Sequence, residues 1–130
     1  MFLDTSALVA IFTSKKSAER IAKEVGDSQL YVSQIQLAEL ADWAVRSGAP
    51  AAERVEAVEQ LANVAPLTKE ICLEAAAIKF SKRKKAIPAF GIIDGIVLAT
   101  ARSLGQSLLT FDADFAGEED CVVLRRAGSH

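Results

Sequence analysis

The chain has 130 residues, 51% of them hydrophobic and 25% charged, with a formal net charge of −2 and an isoelectric point of about 5.4. This length and apolar content indicate one well-buried domain and exclude a disordered chain. The acidic balance excludes nucleic-acid binding by bulk charge, so any such contact needs a local basic patch. No apolar run reaches the roughly 20 residues that span a bilayer, and we expect no contact with a membrane.

Short apolar runs alternate with segments of helical periodicity along the chain. In chain order, the predicted elements are a strand at 1–3, helices at 5–12 and 18–25, a strand at 30–32, helices at 34–46 and 51–62, an extended run at 64–67, helices at 68–80 and 92–104, and strands at 107–110 and 121–124. Parallel strands joined by helices produce this alternation. We therefore expect an α/β fold with three α/β/α layers around a central parallel sheet of four to five short strands.

The ends of the chain and its cysteines carry smaller expectations. We expect a single domain over residues 1–127, followed by Gly128–His130 as a remnant of cloning, so that the only histidine has no catalytic role. Cys72 and Cys121 lie among apolar residues and are expected to be buried free thiols of a cytoplasmic protein. The apolar start lacks the basic leader of a signal peptide, which agrees with that location.

Four acidic residues stand at the ends of predicted elements or within apolar segments. Asp4 follows the first strand and Asp112 follows the strand at 107–110. Glu39 lies about two turns inside the helix after the second strand, and Asp94 lies near the start of the helix at 92–104. Right-handed crossovers bring all strand carboxyl ends to one edge of a parallel sheet, where ligands of α/β proteins bind. We therefore expect the four acids to converge at that edge.

A pocket of four carboxylates is unstable unless something neutralises it. Two carboxylates about 5 Å apart repel by roughly 3 kcal/mol at an effective dielectric constant near 20, and four carboxylates form six such pairs. Their sum rivals the ~5–15 kcal/mol by which a whole domain is stable. Protonation or a divalent cation relieves the repulsion, and all-oxygen ligands favour Mg²⁺ or Mn²⁺ over Zn²⁺. Such centres hold phosphate groups and activate water for in-line displacement.

Four segments together resemble a known family. MFLDTSALVAIF, SQIQLAEL, GIIDGIVLATARSLG and LLTFDADF are similar, in order and spacing, to the successive motifs of PIN-domain ribonucleases, and most of all to the small VapC-type toxins of toxin–antitoxin pairs. The resemblance implies a Mg²⁺- or Mn²⁺-dependent endoribonuclease whose catalytic acids match Asp4, Glu39, Asp94 and Asp112. It also implies an RNA substrate, a homodimer, and an antitoxin partner that lays a segment across the acidic pocket.

The chemistry of such a site suggests a role for each acid. Asp4 and Asp94 are expected to bind the metal directly or through water, with Asp112 completing the set. Glu39 is expected to position or deprotonate the attacking water, or to bind a second metal. Hydrolysis by activated water would leave a 5′-phosphate and a 3′-hydroxyl.

Hydroxyl groups accompany these acids in the matching motifs. Thr110 matches the hydroxyl beside the last acid, and Thr5 or Ser6 matches the one after the first acid. Thr110 and Ser6 would hydrogen-bond the carboxylates and fix their orientation. Asp114 is either an additional acid near the metal or an exposed turn residue.

One dense basic run lies just upstream of Asp94 and consists of Lys82, Arg83, Lys84 and Lys85. It either contacts RNA phosphates at the edge of the acidic pocket or supplies the cations that favour a helix end. Trp43 follows Glu39 by one helical turn and belongs either to the core or to a groove for a partner peptide.

Other functions remain open at this point. A strand-end aspartate before Thr5 and Ser6 is also found in haloacid-dehalogenase-like phosphatases, but those enzymes need a second acid where Ser6 stands. A receiver-type phosphoacceptor needs an early pair of acids, which the chain lacks. A PIN nuclease of RNA processing or decay outside a toxin pair is a further alternative. So is a non-catalytic PIN-like module that binds RNA or protein, although all four matching positions are acidic here.

Overall fold

The structure, a computed structural model, describes residues 1–125, so the predicted remnant at Gly128–His130 lies outside the described residues. The strands are β1 (Phe2–Leu3), β2 (Tyr31–Ser33), β3 (Asn63–Ala65), β4 (Leu108–Thr110) and β5 (Cys121–Val123). The helices are α1 (Thr5–Thr13), α2 (Lys15–Val25), α3 (Gln34–Ser47), α4 (Ala51–Leu61), α5 (Lys69–Lys84) and α6 (Ile92–Ser103), and a 3₁₀ turn covers Ala113–Phe115.

All five strands form one parallel sheet in the order β3-β2-β1-β4-β5. Alternate residues of β1 enter different cores: Phe2 packs with α5 and α6, whereas Leu3 packs with α1 to α4. Helices therefore cover both faces, and the predicted three-layer α/β/α fold is confirmed. The chain leaves β1 toward β3 and later returns to the other side of β1, so β1 and β4 flank the point where the strand order reverses. Ligands bind beside such a point, at the carboxyl ends of the strands.

Gly95 explains how closely α5 and α6 pack. A Cβ atom at Gly95 would lie 2.5 Å from the Ala75 carbonyl oxygen, a distance that would force the helices apart. The missing side chain allows α6 to lie directly against α5, although a glycine inside a helix costs about 1 kcal/mol relative to alanine. The close contact fixes the amino end of α6, where Asp94 lies.

The structure corrects two expectations about α5. The helix continues through the basic run to Lys84 instead of ending near residue 80. Its buried face contains Ile71, Ala75 and Ile78. Cys72 follows Ile71 by one position, which turns it away from that face, so its side chain is exposed. Cys121 is half-buried and free, and burial raises the pKa of its thiol to about 12. Within residues 1–125, no helix combines the length and apolar character needed to cross a membrane.

Candidate functional site

Asp4 lies at the carboxyl end of β1 and is 6% exposed. Its Oδ2 atom accepts hydrogen bonds from Thr110 Oγ1 at 2.6 Å and from Ser6 Oγ at 3.0 Å. Burial raises the pKa of Asp4 above its ordinary value, although these hydrogen bonds oppose the shift and repulsion from Asp112 adds to it. The carboxylate is thus oriented by hydroxyls while its charge is left uncompensated.

The same two hydroxyls also bind the segment that follows β4. Thr110 Oγ1 accepts the backbone N–H of Asp112 at 2.9 Å, and Ser6 Oγ accepts that of Phe111 at 3.0 Å. Asp112 in turn accepts the backbone N–H of Asp114 through Oδ1 at 2.9 Å and begins the 3₁₀ turn. The predicted contact of Thr110 and Ser6 with a carboxylate is therefore present, and both hydroxyls join the end of β1 to the chain that carries Asp112.

Asp114 is half-buried, and its backbone N–H and carbonyl oxygen both form hydrogen bonds. Its N–H donates to the Asp112 carboxylate, which caps the 3₁₀ turn, and its carbonyl oxygen accepts a hydrogen bond from Lys82 Nζ at 3.3 Å. This backbone role supports the turn on which Asp112 lies.

Glu39 is held by the other hydroxyl beside Asp4. Thr5 Oγ1 donates a 2.6 Å hydrogen bond to Glu39 Oε1, joining the start of α1 to the middle of α3. Burial raises the pKa of Glu39, the Thr5 hydrogen bond lowers it, and the charge of Asp4 raises it again. Thr5 therefore binds the Glu39 carboxylate and Ser6 binds the Asp4 carboxylate, whereas the sequence suggested that one or the other is the hydroxyl that accompanies the first acid.

Asp94 lies in the first turn of α6, where its carboxylate caps the helix. Its Oδ2 atom accepts the backbone N–H of Gly91 at 2.8 Å. Burial raises the pKa of Asp94 to about 6, and the nearby charges of Asp4, Asp112 and Glu39 contribute to that rise against the Gly91 hydrogen bond. Asp94 is thus close enough to the other three predicted acids for their charges to affect it.

Among residues 1–125, no cationic side chain forms an ion pair with the acids of this pocket. The salt bridges within residues 1–125 involve Asp42, Glu118 and Asp120, and none of the four pocket acids takes part in one. No three acidic, histidine or cysteine side chains in the described part of the chain lie close enough to enclose an ion directly. The oxygen donors, their mutual repulsion and their lack of a cationic partner nevertheless fit a hard divalent ion that keeps some of its water.

The basic run is divided between a buried lysine and exposed cations. Lys82 is 4% exposed and forms a 2.7 Å ion pair with Glu118, so its ammonium group is bound within the protein, which favours a structural role over contact with RNA. Its role is to hold the loop before β5, and it lowers the pKa of Glu118. Arg83, Lys84 and Lys85 are exposed.

Gln36 and Trp43 lie on α3, before and after Glu39. Trp43 is half-buried and stacks on Phe12 with 6.4 Å between ring centroids, so part of the indole belongs to the core. Gln36 is fully buried and hydrogen-bonds the Leu3 carbonyl oxygen and the Ser33 N–H, both at 2.7 Å. Gln36 is not among the residues predicted from the sequence, although Ser33 followed three residues later by glutamine is the pattern of a helix capping box.

Comparisons with known proteins agree with this architecture. A family model described as the PIN domain matches residues 1–117. A toxin–antitoxin complex from Klebsiella pneumoniae is 23% identical with a TM-score of 0.78, over 96% of this chain and 98% of that chain. VapC20 of Mycobacterium tuberculosis, a toxin that cleaves the sarcin–ricin loop, is 20% identical with a TM-score of 0.75, over 96% and 98%.

A further neighbour is VapBC2 from Rickettsia felis bound to a DNA fragment from its promoter. It is 13% identical with a TM-score of 0.75, over 95% of this chain and 96% of that chain. No curated protein sequence matches the chain. At these identities the solved structures establish the shared fold, while the family model covers nearly the whole length. The chain therefore belongs to the PIN domain family.

Proposed function

We propose that the protein is a divalent-metal-dependent endoribonuclease and the toxin of a VapBC-type toxin–antitoxin pair. This proposal rests on the convergence of Asp4, Glu39, Asp94 and Asp112 without an ion-paired cation in the described part of the chain. Each acid is oriented by a hydroxyl or a backbone group, which a merely solvated cluster does not need. VapC and VapBC proteins among the structural neighbours support the toxin assignment.

In this proposal the side chains of the pocket have distinct tasks. Asp4, Asp94 and Asp112 would hold Mg²⁺ or Mn²⁺, some of them through water, and Glu39 would orient the attacking water and accept its proton. A bound divalent ion would supply charge stabilisation at the phosphate and lower the pKa of water. Thr110 and Ser6 keep the Asp4 carboxylate aimed into the pocket, and Thr5 does the same for Glu39.

The partners follow from the same assignment. An antitoxin that inserts a cationic side chain into the pocket would neutralise the repulsion that the protein itself leaves uncompensated. We place the protein in the cytoplasm, where RNA and such a partner are found. Co-expression with the product of an adjacent small reading frame, followed by purification on a tag carried by that product, tests the pairing.

The exposed face of α5 supports a homodimer. Leu73 and Phe80 are 65% and 64% exposed, and the small side chain of Ala77 lies between them on the same face. Glu70 precedes this stripe by three residues and Arg83 follows it by three, so the stripe has an acidic residue at one end and a basic residue at the other. A two-fold axis pairs each acidic end with the basic end of the second copy. Phe80→Glu should yield a monomer by light scattering, whereas Val45→Glu on α3 should not.

The nuclease proposal is tested with Asp94→Asn on a single-stranded RNA panel. The amide oxygen of asparagine still accepts the Gly91 N–H, so the variant removes charge while it keeps the helix cap. The wild-type protein should cleave RNA with Mn²⁺ or Mg²⁺, lose activity in EDTA, and leave 5′-phosphate ends. Asp42→Asn, which removes an exposed charge from α3, is the matched control and should cleave like the wild type.

Each outcome separates the alternatives. Products with a 2′,3′-cyclic phosphate, or cleavage that survives EDTA, contradict the metal-activated mechanism. Binding of RNA without any cleavage points to a non-catalytic PIN-like module. Cleavage by a protein that no antitoxin inhibits points to a nuclease of RNA processing or decay.

A further inference from the structure

Gln36 is a buried polar residue whose carboxamide forms hydrogen bonds through both its oxygen and its nitrogen. Its side chain has no exposed surface, its Oε1 atom accepts the Ser33 N–H at 2.7 Å, and its Nε2 atom donates to the Leu3 carbonyl oxygen at 2.7 Å. A second Nε2 contact reaches Thr5 Oγ1 at 3.4 Å. A buried amide without partners costs about 1–3 kcal/mol, so these contacts are needed for its burial.

The carboxamide lies where the next backbone hydrogen bond between β1 and β2 would otherwise form. The parallel pairing of these strands stops at Phe2 and Tyr31, with Tyr31 N–H donating to the Met1 carbonyl oxygen at 3.0 Å. A parallel ladder continued by one step would join Ser33 N–H to the Leu3 carbonyl oxygen. Those are the two backbone groups that Gln36 binds, so an amide group separates the strands at this point.

Two acids of the pocket lie close in sequence to the groups that Gln36 binds. Asp4 directly follows Leu3, and Glu39 lies one helical turn after Gln36 on α3. Thr5 accepts a hydrogen bond from Gln36 and has only one proton, which it donates to Glu39. The glutamine therefore contacts the end of β1, the hydroxyl that holds Glu39, and the cap of the helix that carries Glu39.

We propose that Gln36 is a positioning residue for the acidic pocket. Its carboxamide replaces one hydrogen bond of the β1–β2 ladder, holds the two strands apart at their carboxyl ends, and so sets the spacing between Asp4 and Glu39. Its effect on catalysis rests on the proposed nuclease function, whereas its effect on strand spacing does not. Gln36 contacts neither substrate nor metal in this proposal and acts through Leu3, Thr5 and Ser33.

Gln36→Met tests the proposal because methionine has nearly the same length and no strong hydrogen-bonding group. Gln106→Met is the matched control. Gln106 Oε1 accepts a hydrogen bond from the amino group of Met1 at 2.9 Å, so this residue binds the opposite end of β1. We expect kcat of Gln36→Met to fall about tenfold or more with KM within about twofold, because misplaced groups slow the reaction without weakening substrate binding. Calorimetry should show weaker Mn²⁺ binding, while Gln106→Met resembles the wild type in both measurements.

A crystal structure of Gln36→Asn, whose shorter side chain does not fill the space between the strands, provides a readout that does not depend on activity. We expect Ser33 N–H to bind the Leu3 carbonyl oxygen directly and the carboxyl ends of β1 and β2 to move together. Should Gln36→Met not fold, Gln36→Asn also supplies the kinetic comparison, since it cannot span both strands.

Unchanged strand spacing in Gln36→Asn overturns the proposal, as does an equal loss of kcat in Gln36→Met and Gln106→Met. A wild-type protein that leaves RNA intact refutes the nuclease function, and the strand spacing then still decides whether Gln36 separates the strands.

Discussion

Thr110 donates a 2.6 Å hydrogen bond to Asp4 across 106 positions of the sequence. Both side chains are buried, and Thr110 also accepts a hydrogen bond from the backbone N–H of Asp112, so one hydroxyl joins the carboxylate of one pocket acid to the backbone of another. Hydroxyls rather than cations therefore position this carboxylate, and its negative charge remains available to a ligand.

Thr110→Val should impair the site more than the fold. Valine keeps the shape of threonine but removes the hydroxyl, so we expect Mn²⁺ affinity and RNA cleavage to fall by about 10–100-fold, as for other groups that orient metal ligands. Thr100→Val is the control, because Thr100 is equally buried and its hydroxyl binds only the Ile96 carbonyl oxygen within α6. Calorimetry and initial rates on both variants check the prediction; equal losses in the two variants would contradict it.

The raised pKa of Asp94 predicts how the stability of the metal-free protein depends on pH. A carboxyl whose folded-state pKa of about 6 exceeds its usual value of 3.8 binds its proton more tightly in the folded state. Its contribution is therefore fully present below about pH 4 and is lost as the pH rises through 6. Asp94→Asn removes this term, so the Tm of the variant relative to the wild type should increase between pH 4 and 7 in EDTA. A constant difference would show that Asp94 titrates normally.

The exposed part of the basic run predicts the salt dependence of RNA binding. Replacing Arg83, Lys84 and Lys85 with alanine should reduce the slope of log K against log salt by about 2, because each phosphate contact on a single strand contributes roughly 0.7. An unchanged slope would assign these cations to the end of α5 alone.

A control protein with the same loss of charge at another place completes this measurement. Alanine at Lys15, Lys16 and Lys23, three exposed lysines of α2, removes the same charge elsewhere and should leave the slope nearly unchanged.

Lys82→Met tests the buried ion pair of α5 and not RNA binding. It should lower the free energy of unfolding by about 1–3 kcal/mol, because Glu118 keeps its ion pair with Arg102 but loses its buried partner.

The sequence predicted the features that depend on periodicity and on strand ends. Alternating apolar runs were sufficient for the parallel sheet, and acids directly after strands, such as Asp4 and Asp112, could be placed at one edge. What could not be predicted depends on contacts between distant residues. Lys82 resembled its exposed neighbours until its ion pair with Glu118 was known, and Gln36 resembled a simple cap until its contact with Leu3 was seen.

In the proposed mechanism the four acids form one pocket that a divalent ion stabilises. Thermal unfolding of the metal-free protein at pH 7, with and without Mn²⁺, tests it most directly. Binding at a hundred times Kd should raise the stability of the wild type by about 2.7 kcal/mol, while Asp94→Asn gains far less and Asp42→Asn gains as much as the wild type. A wild-type Tm that does not respond to Mn²⁺, or an equal rise in Asp94→Asn, would contradict the account.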